Sequence, residues 1–526
     1  MFAPEDDRWV VIGAGLGTGM GYVGLSSLVV ALPQVQVDLA VDGAGLLWIT
    51  NIYQLMLASL LIVGGSLGDV IGHRRAYVLG ILVFTLGSGA SGLAGNLAVM
   101  LGARAIQGIG GALMIPGALA VLTGHFSDEK RHRAIGLYSV LAISMSLIGP
   151  VLGGFLASSG YWRGVFFINI PFAILTLFCV SRFTPTRTIT RSLQNVDWVG
   201  ALLLTVSLGA MVYSFIEIGQ SGITTFTALL VVAGGAGIAV FVWWEQHFPA
   251  PMVPLYLFRS PLFRATNIAQ FLLYMAMEAI IYFFSLNLIQ IQGYSELQTG
   301  LAALPYVISL ILMSFIVAYV GEHVAAGRLV AVGALMVGIG IVLMTRIGLT
   351  TGVDAYWSTY FIPILLIGSG IGVTIVPLDT TMMSSVPDDN VGSASGIDNA
   401  NVRVASLFAI AVLGGIGLSA YSQALTGRTS DLGLTPDVSI ALQQQANELG
   451  NASVPTNAPE SLVAPIQLAI RMAFVDMFHV IAWASALLAF LGAGVAWVAM
   501  RGDSATSRQI LETIRQQEAI SEIEIL

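Results

Sequence analysis

The chain has 526 residues, of which 56% are hydrophobic and only 10% charged, and its mean hydropathy is +0.85. So few charges cannot cover a water-soluble surface, and the composition places the chain in a lipid bilayer. The net charge of -8 comes partly from one long loop and the C-terminal tail; no basic patch supports nucleic-acid binding, and a lone Cys179 allows neither a disulfide framework nor a metal cluster.

Continuous apolar runs without alternation exclude a β-barrel. The first run, after Arg8, extends to about Leu32 with no small-residue cleavage site, and reads as a first span rather than a leader. Spans follow the roughly 20-residue requirement of a bilayer. They fall near 9–32, 45–68, 76–96, 98–123, 134–157, 164–183, 197–217, 223–245, 264–290, 299–320, 328–348, 357–385, 397–420 and 474–500. Fourteen helices put both termini on one side. Fifteen of the 21 Lys and Arg residues then lie in loops or tails on that side, Arg104 and Arg403 within or at the edge of the membrane, and the bias makes the termini cytoplasmic. The Thr/Arg/Ser-rich 184–196 and Pro-rich 249–261 segments bracket two helices set between two six-helix halves. The expected domains are a six-helix bundle over 1–190, two inserted helices over 191–250, a second bundle over 251–500 with a long external loop at 421–473, and a cytoplasmic tail at 501–526. Gln443 to Gln445 are expected in a short loop helix, and Asn451-Ala452-Ser453 fits a glycosylation acceptor.

Several segments carry chemistry. Between the second and third spans stands Gly65-Ser66-Leu67-Gly68-Asp69-Val70-Ile71-Gly72-His73-Arg74-Arg75. Two cations just past a hydrophobic run hold the loop in the cytoplasm, Gly72 allows a tight reversal, and Asp69 is placed for a contact that breaks when the protein changes shape. A degenerate echo occurs at Gly321 to Arg328, with Val324 where Asp69 would be. In the fourth span Arg104, Gln107, Gly108 and Gly111 share one helical face, joining a buried cation to close-packing glycines. A mid-membrane arginine must face partners or water, and a permanent ion pair is the structural alternative to a functional role. The fifth span carries Gly136, Gly149, Pro150, Gly153 and Gly154, a small-residue face with a proline kink.

These segments, with Trp162 to Pro171, the Asn399/Arg403 pair, and Gly293-Tyr294 followed by Gly300 and Pro305, resemble the major facilitator superfamily, in particular its fourteen-helix drug:proton antiporter branch. The resemblance covers nearly the whole chain. It implies an all-α integral membrane fold of two pseudo-symmetric six-helix bundles plus two inserted helices, with 14 transmembrane helices. It also implies a cytoplasmic gate at Gly65, Asp69, Gly72, Arg74 and Arg75; a polar core at Arg104, Gln107, Asn399 and Arg403; and an exporter-type fifth helix at Gly149, Pro150, Gly153 and Gly154, in which Met145 replaces one expected glycine. Trp162 would lie in the outer aromatic belt.

One departure matters. The branch carries an Asp in its first helix, whereas here Ala31-Leu32-Pro33 is kept but Gly24 takes the Asp position, Ser26 the Thr and Val29 the Asn. Proton coupling then falls to another acid: Glu278, in mid-span among Met275, Met277 and Ile280, where desolvation opposes ionisation, or Asp379, just after Val376-Pro377. The bland alternatives are a fixed ion pair of Glu278 with a cation such as Arg104, and a helix-end acid at Asp379. Asn51, Tyr53, Gln54, Tyr274 and Asn287 are the candidate cavity residues. No P-loop, nucleophile elbow or His/Cys cluster supports an enzyme, a pump or a cofactor. The expectation is a monomeric secondary active transporter of the bacterial inner membrane, exchanging protons for a lipophilic or cationic small molecule. An uptake permease or uncoupled facilitator, and a non-transporting partner or sensor on the same fold, are its rivals.

Overall fold

The computed structural model describes residues 5–126, 128–184, 196–249, 251–320, 324–387, 390–500, 511 and 513, and contains no strand among them. In hydrocarbon a helix satisfies its own backbone groups, so long apolar runs can fold no other way as separate spans. The first six are α1 Glu5–Asp38, α2 Gly43–Ile71, α3 His73–Gly92, α4 Leu97–His125, α5 Asp128–Ser158 and, after one turn at Gly164–Phe167, α6 Asn169–Phe183. Then come α7 Trp198–Ser221 and α8 Thr225–His247. The last six start with α9 Pro261–Leu286, which ends in a π turn at Asn287–Ile291. A short helix Glu296–Ala302 precedes α10 Leu304–Val320, followed by α11 Ala326–Met344 and α12 Phe361–Ser384. In α13, Val391–Phe408 passes through a π turn at Ala409–Leu413 into Gly414–Thr429, and α14 is Glu460–Ala499.

Local chemistry sets these ends. Asp42 caps α2 by accepting the Gly45 N–H at 2.8 Å, Asn96 caps α4 through Val99 at 3.0 Å, and Ser260 with Pro261 opens α9. Ser295 and Gln298 form a capping box on the short helix before α10. Gly72 separates α2 from α3 with φ of 95°, a conformation that side chains with a Cβ rarely adopt.

The packing repeats. In the first half α1 contacts α4, α5 and α6, while α4 also packs on α2 and α3, and α3 reaches α6. In the second half α9 contacts α12, α13 and α14, while α12 also packs on α10 and α11, and α11 reaches α14. Each contact of the first set maps onto one of the second when eight is added to the helix number, which is the signature of two bundles related by a pseudo-twofold. The contacts between halves obey the same relation: α2 meets α13, and α5 meets the 296–302 helix that leads into α10. By length and hydropathy thirteen of the described helices can cross a membrane. The one outside that set is α3, twenty residues long, whose apolar run is diluted by Gly80, Ser88, Gly89 and Ser91. It has the neighbours that α11 has in the second half.

Between the bundles, α7 bridges the α2–α13 seam, with Gly219 set against the Gly415 backbone and Gln220 Nε2 donating to Asp42 Oδ2 at 2.6 Å. Most of α8 is exposed, and its packing is chiefly on α7.

Several expected positions move. Helix runs to Thr429 and resumes at Glu460, so the expected 421–473 loop is helical at both ends; it holds the expected short helix at Pro436–Gln444. Trp162 is 3% exposed rather than lipid-facing, because its Nε1 donates to Asp38 Oδ2 at 3.3 Å and its ring meets Phe166 edge-on. Most of the 184–196 linker, Gly321 to His323 of the motif echo, and the 501–526 tail apart from Leu511 and Thr513 lie outside the described residues.

The positive φ at Gly72 makes a direct prediction. Gly72→Ala should lower stability by about 1–3 kcal/mol, read as a drop in the thermal unfolding midpoint of the detergent-solubilised protein. Gly65→Ala, whose new Cβ would meet only Pro116 at 3.7 Å, should leave the midpoint unchanged.

Candidate functional site

Polar side chains from both bundles meet in the middle of the molecule. From the first half, Arg104 of α4 is 1% exposed. Its Nε donates to the Ile49 carbonyl at 3.1 Å and its Nη1 to Gln107 Oε1 at 2.7 Å, while the guanidinium lies 4.4 Å from the Tyr53 ring centre. Hydrogen bonds and a π face replace the lost hydration. Around it, Arg104 Nη2, both amide atoms of Asn51, the Tyr53 hydroxyl and Gln54 Oε1 are buried without a protein partner. Such a concentration of unmet hydrogen-bonding capacity suits water or a polar ligand group. Gly24 borders the same place: a Cβ there would stand 3.7 Å from Asn169 Nδ2 and 3.9 Å from Gln107 Nε2. The missing first-helix acid therefore leaves room beside the Arg104–Gln107 pair.

From the second half, Glu278 of α9 is half-buried and faces α13, where the Arg403 charge and the Ser406 hydroxyl act on it. Its cation is Arg403, not the Arg104 considered from sequence. Arg403 is 8% exposed, lies 5.6 Å from the Tyr22 ring of α1, and acts on Tyr53 of α2 as Arg104 does. One guanidinium thus touches the fields of both bundles. Tyr306 of α10 lies beside Glu278, its hydroxyl 3.0 Å from Met277 Sδ.

A second acid follows on the terminal side. Asp379 of α12 has Asp398 of α13 as its nearest charge, and Tyr274 lies in the field of both. Asp398 Oδ1 accepts from Gln270 Nε2 at 2.5 Å, and Gln270 Oε1 accepts from Asn401 Nδ2 at 2.7 Å. Sequence reasoning missed Asp398, Gln270 and Asn401. The signal was available: Gln270, Tyr274 and Glu278 recur every four residues along α9, one polar stripe on an apolar helix.

Other expected site residues are placed elsewhere. Asn287 is buried in the α9 π turn, where its Nδ2 donates to the Tyr360 hydroxyl at 3.0 Å, so it ties α9 to α12 near the distal end, the end opposite the termini. Asn399 bonds back to the Ser395 carbonyl of its own helix at 2.9 Å. At the terminal face Asp69 Oδ1 lies 3.6 Å from His73 Nε2 across the Gly72 turn, and Arg74 Nη2 donates to the Ser181 carbonyl at 2.6 Å, tying α3 to α6; Arg75 is exposed. The fifth helix has two faces. Gly149 and Gly153 let it settle on Ser26 and Ser27 of α1, inside its own bundle. Gly154 lies against the Glu296 backbone, and the Pro150 carbonyl against Gly300, across the interface.

At the distal end the halves are joined by hydrogen bonds. Gln34 Nε2 donates to Glu296 Oε1 at 3.0 Å, and Gln36 Nε2 to the Glu448 carbonyl at 2.9 Å. Gln36 Oε1 accepts from Gln290 at 2.9 Å and from Asn451 at 2.8 Å.

This arrangement, a polar band between two repeated bundles, agrees with comparisons to known proteins. The chain is 32% identical over 408 residues to the multidrug resistance protein Stp of Mycobacterium tuberculosis, covering 77% of this chain and 75% of that one. It is 33% identical to the cephamycin export protein CmcT of Amycolatopsis lactamdurans, with 74% and 80% coverage, and 27% identical to the multidrug efflux pump LfrA of Mycolicibacterium smegmatis, with 90% and 92%. In fold it is similar to a bacterial homolog of the human lysosomal transporter Spinster, solved inward-facing and unoccupied, with a TM-score of 0.63, 16% identity, and 95% and 100% coverage. The model of the Major Facilitator Superfamily matches residues 14–410, and with these relatives it establishes that the chain is a transporter of that family.

Proposed function

We propose that this protein exports lipophilic or cationic small molecules in exchange for protons, working by alternating access in a bacterial inner membrane with both termini in the cytoplasm. The observation that carries the reading is Glu278: a half-buried carboxyl in mid-bundle in the field of Arg403, whose guanidinium lies 5.6 Å from the Tyr22 ring of the other half. An ionised Glu278 holds the Arg403 charge toward α9. A protonated one releases it toward the first bundle, so proton binding changes what the two halves share at their interface. The first-helix position that would otherwise carry an acid is Gly24, which leaves Glu278 as the acid in contact with both halves through Arg403.

The relatives support cargo class and direction, since three of them are named for drug resistance or export. Tyr22, Tyr53, Tyr274 and Met277 offer aromatic and thioether surface, and Asn51 and Gln54 supply unmet hydrogen bonds, a combination suited to bulky apolar compounds with one polar or cationic group. With cytoplasmic termini, the Gln34 and Gln36 contacts form the outer gate in its closed state, and the Asp69, His73 and Arg74 turn belongs to the inner face. A single chain suffices as the working unit, because both halves of the site come from it.

Purified protein in proteoliposomes, loaded with a lipophilic cationic dye and given an imposed pH gradient, tests the reading. Glu278→Gln should reduce gradient-driven efflux by roughly tenfold or more while downhill dye exchange persists. Wild-type flux that ignores the gradient would make the protein a facilitator, the outcome the missing first-helix acid favours, and no flux of any compound would leave a non-transporting role.

The Asp379–Asp398 pair gives a separate outcome. It lies beside Tyr274 and not beside Arg403, so Asp379→Asn and Asp398→Asn should keep most gradient-driven efflux in the same assay. Loss on either substitution with retention in Glu278→Gln would transfer the coupling role to that pair.

A further inference from the structure

The inserted helix pair closes on two carboxyl groups that the exchange proposed above does not involve. Asp197 precedes α7 and Glu245 lies near the end of α8; they are 2% and 3% exposed. One oxygen of each is fully engaged. Asp197 Oδ1 accepts the Gly200 N–H at 2.8 Å and the Trp244 indole N–H at 2.9 Å, and Glu245 Oε2 accepts the Val253 N–H at 2.9 Å. The remaining oxygens, Asp197 Oδ2 and Glu245 Oε1, are buried and receive no donor. Both lie within 2.9 Å of the point where a Cβ on Gly200 would stand, so they face each other across the space that this glycine leaves. The walls are apolar: Val63, Val196, Ala201, Phe241 and Met252.

Two ionised carboxylates facing each other in such a pocket would repel with no donor or cation between them. Other titratable groups among the described residues of the packed elements have partners of their own. His247 of α8 turns its Nδ1 to the Trp243 carbonyl, Asp69 of α2 pairs with His73, and Tyr256 and Arg259 in the segment after α8 have their own partners. Among the described residues, Asp197 is the charge that acts on Glu245. A metal or alkali ion would need several more oxygens than two, whereas a proton needs these two alone.

We propose that Asp197 and Glu245 hold one proton between them, and that this proton fastens α7 and α8 to the segment that leads into α9. With it, every carboxyl oxygen of the pair has a hydrogen bond, and a single cluster joins the start of α7, the end of α8 and Val253. Without it, the two carboxylates push the clasp apart. The proton is bound in the folded clasp more firmly than in the unfolded chain, so the stability it gives is present at low pH and lost as pH rises.

The test uses the full chain purified in detergent. The thermal unfolding midpoint of the wild type should fall from mildly acidic to mildly alkaline pH. Glu245→Gln, which replaces the proton by a permanent amide donor, should lose part of that fall, and its infrared spectrum should lack one protonated-carboxyl band. Should Glu245→Gln not fold, Asp197→Asn, which keeps an oxygen to cap α7, carries the same comparison. Wild type and variant with identical pH profiles and carboxyl bands would overturn the proposal. So would a wild-type midpoint that drops at fixed pH when sodium and potassium are replaced by choline, because the site would then hold a cation.

Discussion

A guanidinium in the middle of a membrane bundle must find hydrogen-bond acceptors or water, and the two arginines here meet that requirement in opposite ways. Arg104 is held locally, by the Ile49 carbonyl, Gln107 and the Tyr53 ring, all within the first bundle, with its Nη2 left for water or a polar ligand group. Arg403 belongs to the second bundle, acts on Glu278 there, and lies 5.6 Å from the Tyr22 ring of the first, with Tyr53 also in its field. The first fixes the shape of one wall. The second sits where the two walls meet, and its electrostatic partners are divided between them.

Close backbone approach is the means by which these walls come together, and α5 shows how one helix serves two purposes. Gly149 and Gly153 seat it on α1, a contact within the bundle. One residue on, Gly154 turns toward the helix before α10, where Gly300 returns the favour against Pro150. Gly149 and Gly153, four apart, share one face of the helix, whereas the adjacent Gly154 points about a quarter-turn away, so one small-residue run serves both the interior of a lobe and its contact with the other lobe.

Much of this was legible in the sequence because it rests on length and hydropathy. The spans, the Gly72 turn and the Arg104–Gln107 face follow from local pattern, and the structure places each near its expected position. What was not legible depends on which helix faces which. Arg403 as the partner of Glu278 requires knowing that α9 packs on α13, and so does Asp398, which lies two turns inside a helix that begins at Val391 and meets Gln270 of α9. The bond from Asn287 in the π turn at the end of α9 to Tyr360 likewise depends on which helix faces which. Trp162 has the composition of a belt residue, yet a single bond to Asp38 brings it inside.

The bridge made by α7 has a mechanical consequence. Near its distal end it is joined to both lobes at once, through Gly219 on Gly415 and Gln220 on Asp42, beside the amide contacts of Gln36. A strut pinned to two bodies at one end makes that end the fulcrum of any small relative rotation, and displacement then grows with the lever arm toward the opposite face. In the alternating access proposed above, the Asp69 turn would then travel farther than the glycine pair at the other end of the molecule.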